Sequence, residues 1–144
     1  MLLIPAIDLK NGRCVRLHQG NENSEIIYSD DPATMALSFE EAGAKRIHLV
    51  DLDGAFRGHS INKNSIRTII NTISIPLQLG GGLRNAEDIE RMLDLGISSI
   101  IVGTMGVKNP EILENVLERF PGEKIILGID TLNRKVLIEG WKEV

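Results

Sequence analysis

Five short apolar runs punctuate the chain: Leu2 to Leu9, Ile47 to Leu52, Pro76 to Leu79, Ser99 to Val102 and Lys124 to Ile129, with stretches of helical spacing between them. Runs that are apolar almost throughout suit strands buried on both faces, as in a parallel sheet covered by its own connecting helices. The helical stretches have readable ends. Asp31-Pro32 and Asn109-Pro110 each set a capping side chain before a proline at the first helical position, and Gly43 and Gly96 stand where a left-handed residue closes a helix. Within "NAEDIERMLDLG", Asn85 is a candidate cap, and Ile89, Met92, Leu93 and Leu95 make one core-facing stripe. Strand and helix in alternation imply right-handed crossovers. A doubly wound open sheet and a (β/α)8 barrel both satisfy this pattern. The first strand ends in Asp8-Leu9-Lys10 rather than in a Gly-x-Gly-x-x-Gly turn, which favours the barrel.

A repeat sharpens that expectation. "LLIPAIDLKNGRCVRLHQG" near the start and "KIILGIDTLNRKVLIEGW" near the end share an apolar run into Ile-Asp, a polar turn containing Asn, and a second apolar run ending at Gly. Asp8 and Asp130 lie 122 positions apart. Such a block used twice makes eight units and roughly 240 residues, the usual size of a barrel. The 144 residues therefore read as an incomplete α/β barrel of the TIM type, about four βα units plus strand five. The first half-barrel spans about residues 1–122. The second begins in 123–144 and includes an extended segment from Lys135 to Trp141. Strands one and five of so partial a barrel are expected to expose unpaired edges, and the chain to self-associate.

Composition narrows the function. A hydrophobic content of 42% supports one sizeable core, and a net charge of −4 offers no general attraction to nucleic acid or to an anionic membrane. An anionic ligand must then be held by local groups. The single cysteine, Cys14, has no internal disulfide partner, and the first residues lack the basic region and cleavage site of a signal peptide. No apolar run approaches the roughly 20 residues that span a bilayer. A cytoplasmic protein is expected.

The working groups of a barrel sit where strands end and loops begin. "LGGGLRN" places Gly80, Gly81 and Gly82 after a strand, with Arg84 close behind. Glycines there let the backbone approach a ligand, and N–H groups at the following helix N-terminus suit a phosphate; a tight turn alone is the competing explanation. Gly103 and Thr104, at the next strand end, supply further donors to the same site. The spacing does not match a Walker loop. Asp8 and Asp130, at equivalent strand ends, are candidates for a base and an acid whose surroundings divide the labour, although an Asp at a strand end also serves as a cap or loop anchor. Asp51 and Asp53 share a strand face by the period-two rule, and loop anchoring is at least as good a role for them. Arg13 and Arg16 fall in the loop after strand one, where a guanidinium can clamp an anion, though Arg13 reads better as surface charge. His18, His48 and His59 show no metal-ligand spacing, so no metal is expected, and no Gly-x-Ser-x-Gly elbow exists. Trp141, the only tryptophan, can stack on a flat ring or bury apolar area.

At "IPAIDLKNGRCVRLHQG", "HLVDLDGA", "GGGLR" and "GIDTLNRKVLIEGW" the chain resembles the phosphoribosylformimino-5-aminoimidazole carboxamide ribotide (ProFAR) isomerase family of histidine biosynthesis, in order and over its whole length. The resemblance implies a two-half (β/α)8 barrel that converts an aminoaldose to an aminoketose by an Amadori rearrangement, without cofactor or metal. It implies that Asp8 takes the proton from C2′ of the ribose and that Asp130 opens the furanose ring. Gly80 to Gly82, Gly103 and Thr104 then grip one substrate phosphate, Arg16 and Gly20 belong to a first loop that closes over the ligand, and Trp141 lies beside the imidazole. "NENSEIIYSDD" is the least family-like stretch. Family members continue through three more strands that bind the other phosphate, so the 144-residue chain alone is expected to be inactive. A full-length member is expected to be monomeric and to act on a small phosphoribosyl substrate. Two other readings remain: the cyclase subunit of imidazole glycerol phosphate synthase, which shares the aspartates and the glycine loop, and a non-catalytic, phosphate-binding half-barrel.

Overall fold

The computed structural model describes residues 1–59, 61–120 and 122–137. The chain begins with β1 (Ala6–Lys10), β2 (Arg13–Leu17), a 3-10 turn (His18–Gly20) and β3 (Glu25–Ser29). Strands then alternate with helices: α1 (Pro32–Glu41), β4 (Ile47–Asp51), α2 (Leu52–Arg57), α3 (Lys63–Thr72), β5 (Leu77–Gly80), α4 (Ala86–Leu95), β6 (Ser99–Val102), α5 (Thr104–Lys108), α6 (Pro110–Arg119) and β7 (Ile125–Leu127). A hairpin of β8 (Asp130–Leu132) and β9 (Lys135–Leu137) follows.

Seven strands form one sheet in the order β3-β2-β1-β4-β5-β6-β7. From β1 through β4 to β7 neighbours are parallel and run in chain order without reversal, whereas a doubly wound sheet reverses at a switch point. The helices accordingly gather on one face. Alternate strand residues, among them Ile7, Leu9, Ile47, Leu49, Leu79 and Ile100, pack with Ala36, Ile66, Ile69, Ile89 and Val116 from the helices, and all of these are buried. On the other face Asp8, His48, Val50, Gln78 and Ile101 are only half-buried. Burial of both faces, expected from the apolar runs, is thus replaced by one covered face and one that lines open space. The ladder explains which residues share the open face, since Asp8 pairs with Val50, Val50 with Gly80 and Gly80 with Ile101.

Local signals hold at most element ends. Asp31 accepts from the N–H groups of Ala33 (3.1 Å) and Thr34 (3.2 Å), and Asn85 accepts from that of Asp88 (2.8 Å). Gly43 and Gly96 take φ values of 95° and 118° beyond α1 and α4. Asn109 differs from expectation: its side chain caps nothing, because the residue also closes α5, its N–H bonding to Met105 O at 3.0 Å. The first strand starts at Ala6 rather than Leu2. Pro5 contributes only its carbonyl, which accepts from His48 N at 2.9 Å. The last long run contracts to Ile125–Leu127.

The largest departure is the segment after β1. Asn11 (φ 49°) and Gly12 (φ 77°) reverse the chain in a two-residue turn with both φ values positive, the geometry that matches strand twist. Arg13 and Arg16 therefore lie on a strand, β2, and not in a loop. Since β2 and β3 extend the sheet beyond β1, strand one is no edge; the outer strands are β3 and β7. Asn133 (φ 51°) and Arg134 (φ 64°) make the corresponding turn between β8 and β9. In the first hairpin Asp8 faces Val15, Leu9 faces Cys14 and Lys10 faces Arg13; in the second Asp130 faces Leu137, Thr131 faces Val136 and Leu132 faces Lys135. The two registers coincide after a shift of 122 positions. Cys14 is buried in the first hairpin, and that burial, with Asp31 adding its charge, pushes its thiol up to about 11. Among the described residues no helix is long and apolar enough to cross a membrane.

Candidate functional site

A cavity of about 340 Å³ opens at the C-terminal ends of β4, β5 and β6, with the β8–β9 hairpin as one wall. Its floor comes from the open sheet face through His48, Val50 and Ile101. Gly80, Gly81, Gly82 and Arg84 form one side, Gly103 and Thr104 another, and Asp130 reaches it from β8. The remaining sequence-derived candidates stand elsewhere. Asp8 is on β1, directly beside cavity-lining Val50, but does not itself line the space. Arg16 is exposed on β2, and Gly20 ends the 3-10 turn with φ 73°. Trp141 lies outside the described residues.

The glycine loop is shaped by protein as well as by space. A Cβ on Gly81 (φ 102°) would fall 2.3 Å from Asp51 O, and one on Gly82 (φ 73°) 2.5 Å from Gly54 Cα. Both distances are impossible for a side chain, so the loop lies hard against the Asp51–Gly54 backbone. Gly80, whose Cβ would meet Ile101 at an ordinary 3.5 Å, has no such need. The close approach expected toward a ligand is made, at Gly81 and Gly82, toward the neighbouring loop. The N-terminus of α4 is also occupied by the chain itself. Asn85 takes one of its N–H groups, Glu87 and Asp88 complement the positive end of its dipole, and Asp88 accepts from Arg84 N at 3.2 Å. Positive charge at the cavity comes instead from Arg84 and from Lys108, which the sequence reading did not single out.

Burial separates the two aspartates. Burial holds the Asp8 carboxyl above its ordinary value, with the Arg16 guanidinium acting in the opposite direction. Asp130 is exposed to solvent on the cavity wall. On the floor, burial lowers the pKa of His48, and its Nδ1 has no hydrogen-bond partner among the described residues. His48 was findable: it stands two residues before Val50 in "IHLVD", on the face opposite Ile47 and Leu49.

Asp51 and Asp53 do not share a strand face, because β4 stops at Asp51 and Asp53 falls in the first turn of α2. Both are 1% exposed. Asp51 Oδ1 accepts from Gly54 N (3.0 Å), Asp53 Oδ2 accepts from Asn11 N (2.7 Å), and the Asn62 amide donates to both carboxylates (2.7 and 2.9 Å). These bonds anchor loops. Asn62 carried no sequence signal, since its partners lie nine to fifty positions away.

Known proteins match this chain along its length. The family profile described as histidine biosynthesis protein covers residues 2–144. A relative from Trichlorobacter lovleyi is 51% identical over 144 residues, which is all of this chain and 58% of that protein. One from Lachnoclostridium phytofermentans is 48% identical over 144 residues, again all of this chain and 60% of that protein. Both are named 1-(5-phosphoribosyl)-5-((5-phosphoribosylamino)methylideneamino) imidazole-4-carboxamide isomerase. The chain thus spans about three fifths of the length of these curated relatives. A singly wound sheet with an open, cavity-forming face and a match from residue 2 to residue 144 lead to one conclusion: the chain belongs to the histidine biosynthesis protein family.

Proposed function

We infer that this chain carries the N-terminal part of a ProFAR isomerase barrel, and that Asp8 and Asp130 are its base and acid in an Amadori rearrangement. The observation that supports this reading most is the shared hairpin register, which gives the two carboxylates corresponding stations 122 positions apart. In a closed eight-stranded barrel, strands one and five face each other across the mouth; Asp130 lies not on the fifth parallel strand, β7, but three residues beyond it at the start of β8, from where it flanks one ribose together with Asp8. Asp130 protonates the ring oxygen as the C1′–O bond breaks, leaving a protonated imine at C1′. Asp8 then removes the proton from C2′, and the electron pair neutralises the imine as an enamine that tautomerises to the ketone.

The glycine loops, Arg84 and Lys108 hold one phosphate, Arg16 and Gly20 act in the segment that closes over the ligand, and Trp141 stacks on the imidazole. The second phosphate falls to the part of the relatives that this chain does not span, and with it goes the remote binding energy that positions C2′. The 144-residue chain accordingly binds phosphate without turnover. It also self-associates, through the outer strands β3 and β7 and the exposed Ile26, Ile27 and Tyr28.

The test joins this chain to the remaining C-terminal part of the Trichlorobacter lovleyi relative and compares the graft with the chain alone. Turnover is expected in the graft only, falling by about 10²–10⁴-fold in Asp8→Asn or Asp130→Asn. An Asp8→Asn graft as fast as its parent overturns the assignment. Titration of the chain alone with ribose 5-phosphate checks the phosphate site, with Arg84→Ala expected to weaken binding about tenfold.

A further inference from the structure

Asn62 stands at the N-cap of α3, where an Asn side chain ordinarily accepts from the first turn of its own helix, yet it makes no such bond. Its amide is buried at 1% exposure and turned toward other elements. Nδ2 donates to Asp51 Oδ1 at 2.7 Å and to Asp53 Oδ2 at 2.9 Å, while Oδ1 accepts from Gly12 N at 2.8 Å. Two donors toward carboxylates and an acceptor toward an N–H leave only one orientation for the amide. Asp53 Oδ2 also takes Asn11 N at 2.7 Å, so both N–H groups of the β1–β2 turn end in this cluster.

The cluster touches both parts of the site. On one side it grips the turn that begins three residues after Asp8, and on the other Gly81 and Gly82 rest on the backbone of Asp51 and Gly54. Asp53 Oδ1 has the Arg57 guanidinium at 3.8 Å, too far for a hydrogen bond, and Asp51 Oδ2 is buried without a hydrogen-bond partner among the described residues. Removing the Asn62 amide leaves two buried carboxylates with fewer donors than before, a cost that nothing inside the cluster offsets.

We propose that Asn62 is a positioning residue, which gives up its own helix cap to hold the Asp8-bearing strand end and the glycine loop in one frame. The positioning role rests on the isomerase reading; the anchoring does not.

The first measurement is amide hydrogen exchange in the 144-residue chain. Asn62→Ala is expected to speed exchange at Asn11 and Gly12 by about tenfold or more. Glu40→Ala, which removes the Glu40–Ser74 bonds (Ser74 N to Oε1, 3.1 Å) before β5 begins, leaves both rates unchanged. Asn62→Ser, which keeps one donor, gives an intermediate rate and serves if the alanine variant does not fold. The second measurement is kinetic, in the graft. Asn62→Ala lowers kcat about tenfold or more with KM within about threefold, the pattern of lost positioning rather than lost binding. Glu40→Ala leaves kcat unchanged even where it lowers the melting temperature as much. Unchanged exchange at Asn11 and Gly12 overturns the anchoring, and an active graft indifferent to Asn62→Ala overturns the positioning. An inactive parent graft counts against the isomerase reading instead, and exchange still decides the anchoring.

Discussion

The β1–β2 and β8–β9 hairpins have the same register and two left-handed turn positions each, but they sit in different company. The first is built into the seven-stranded sheet, with β1 paired to β4 and the turn held by Asp53 and Asn62. The second forms a two-stranded sheet of its own against the cavity. The first turn has Gly12 at its second position; the second has Arg134 there with φ 64°, a conformation that strains any residue bearing a Cβ. Asp8 is half-buried, and Asp130 is exposed. Local sequence is thus enough to repeat a hairpin, while its anchoring, its strain and the environment of its aspartate come from what surrounds it.

Chemistry gives the sharpest test of whether the hairpins are counterparts. In the graft, Asp8→Asn and Asp130→Asn are each expected to slow turnover by about 10³-fold, and the double variant little further, because acid and base act on one substrate as a unit. A loss confined to one aspartate breaks the correspondence. The turns come next. Gly12→Ala costs about 1–2 kcal/mol in denaturant unfolding, from backbone strain alone, because its new Cβ would lie an ordinary 3.6 Å from Ser65 Oγ. Arg134→Gly, relieving the same strain, slows amide exchange across 130–137 about fivefold. If both changes act in the same direction, the turns are not equivalent.

The smallest effect is on stability against pH. The folded protein holds the Asp8 proton more tightly than the unfolded chain does, because the folded pKa is raised. Asp8 therefore favours folding most at acid pH, and that contribution is lost as pH climbs from the ordinary 3.8 through the raised value. At neutral pH the whole penalty is present, and Asp8→Asn is expected to raise the melting temperature by about 1–3 °C there and not at pH 3. Melting curves of the parent and of Asp8→Asn at pH 3 and pH 7 check the sign.

What the chain determined by itself was what neighbours in sequence can arrange: caps such as Asp31 and Asn85, closing glycines such as Gly96, and the repeated polar turn after each Ile-Asp. These rest on a few adjacent torsions and on hydrogen bonds within one or two turns, so short patterns specify them. Tertiary structure alone decided that β2 and β3 continue the sheet, that only one sheet face is covered, that Gly81 and Gly82 are needed against Asp51 and Gly54, and that Asn62 leaves its helix to join Asp51, Asp53 and the β1–β2 turn. Each of these depends on groups brought together from distant parts of the chain. A buried donor or a missing Cβ acquires its meaning only from the partner that packing puts beside it.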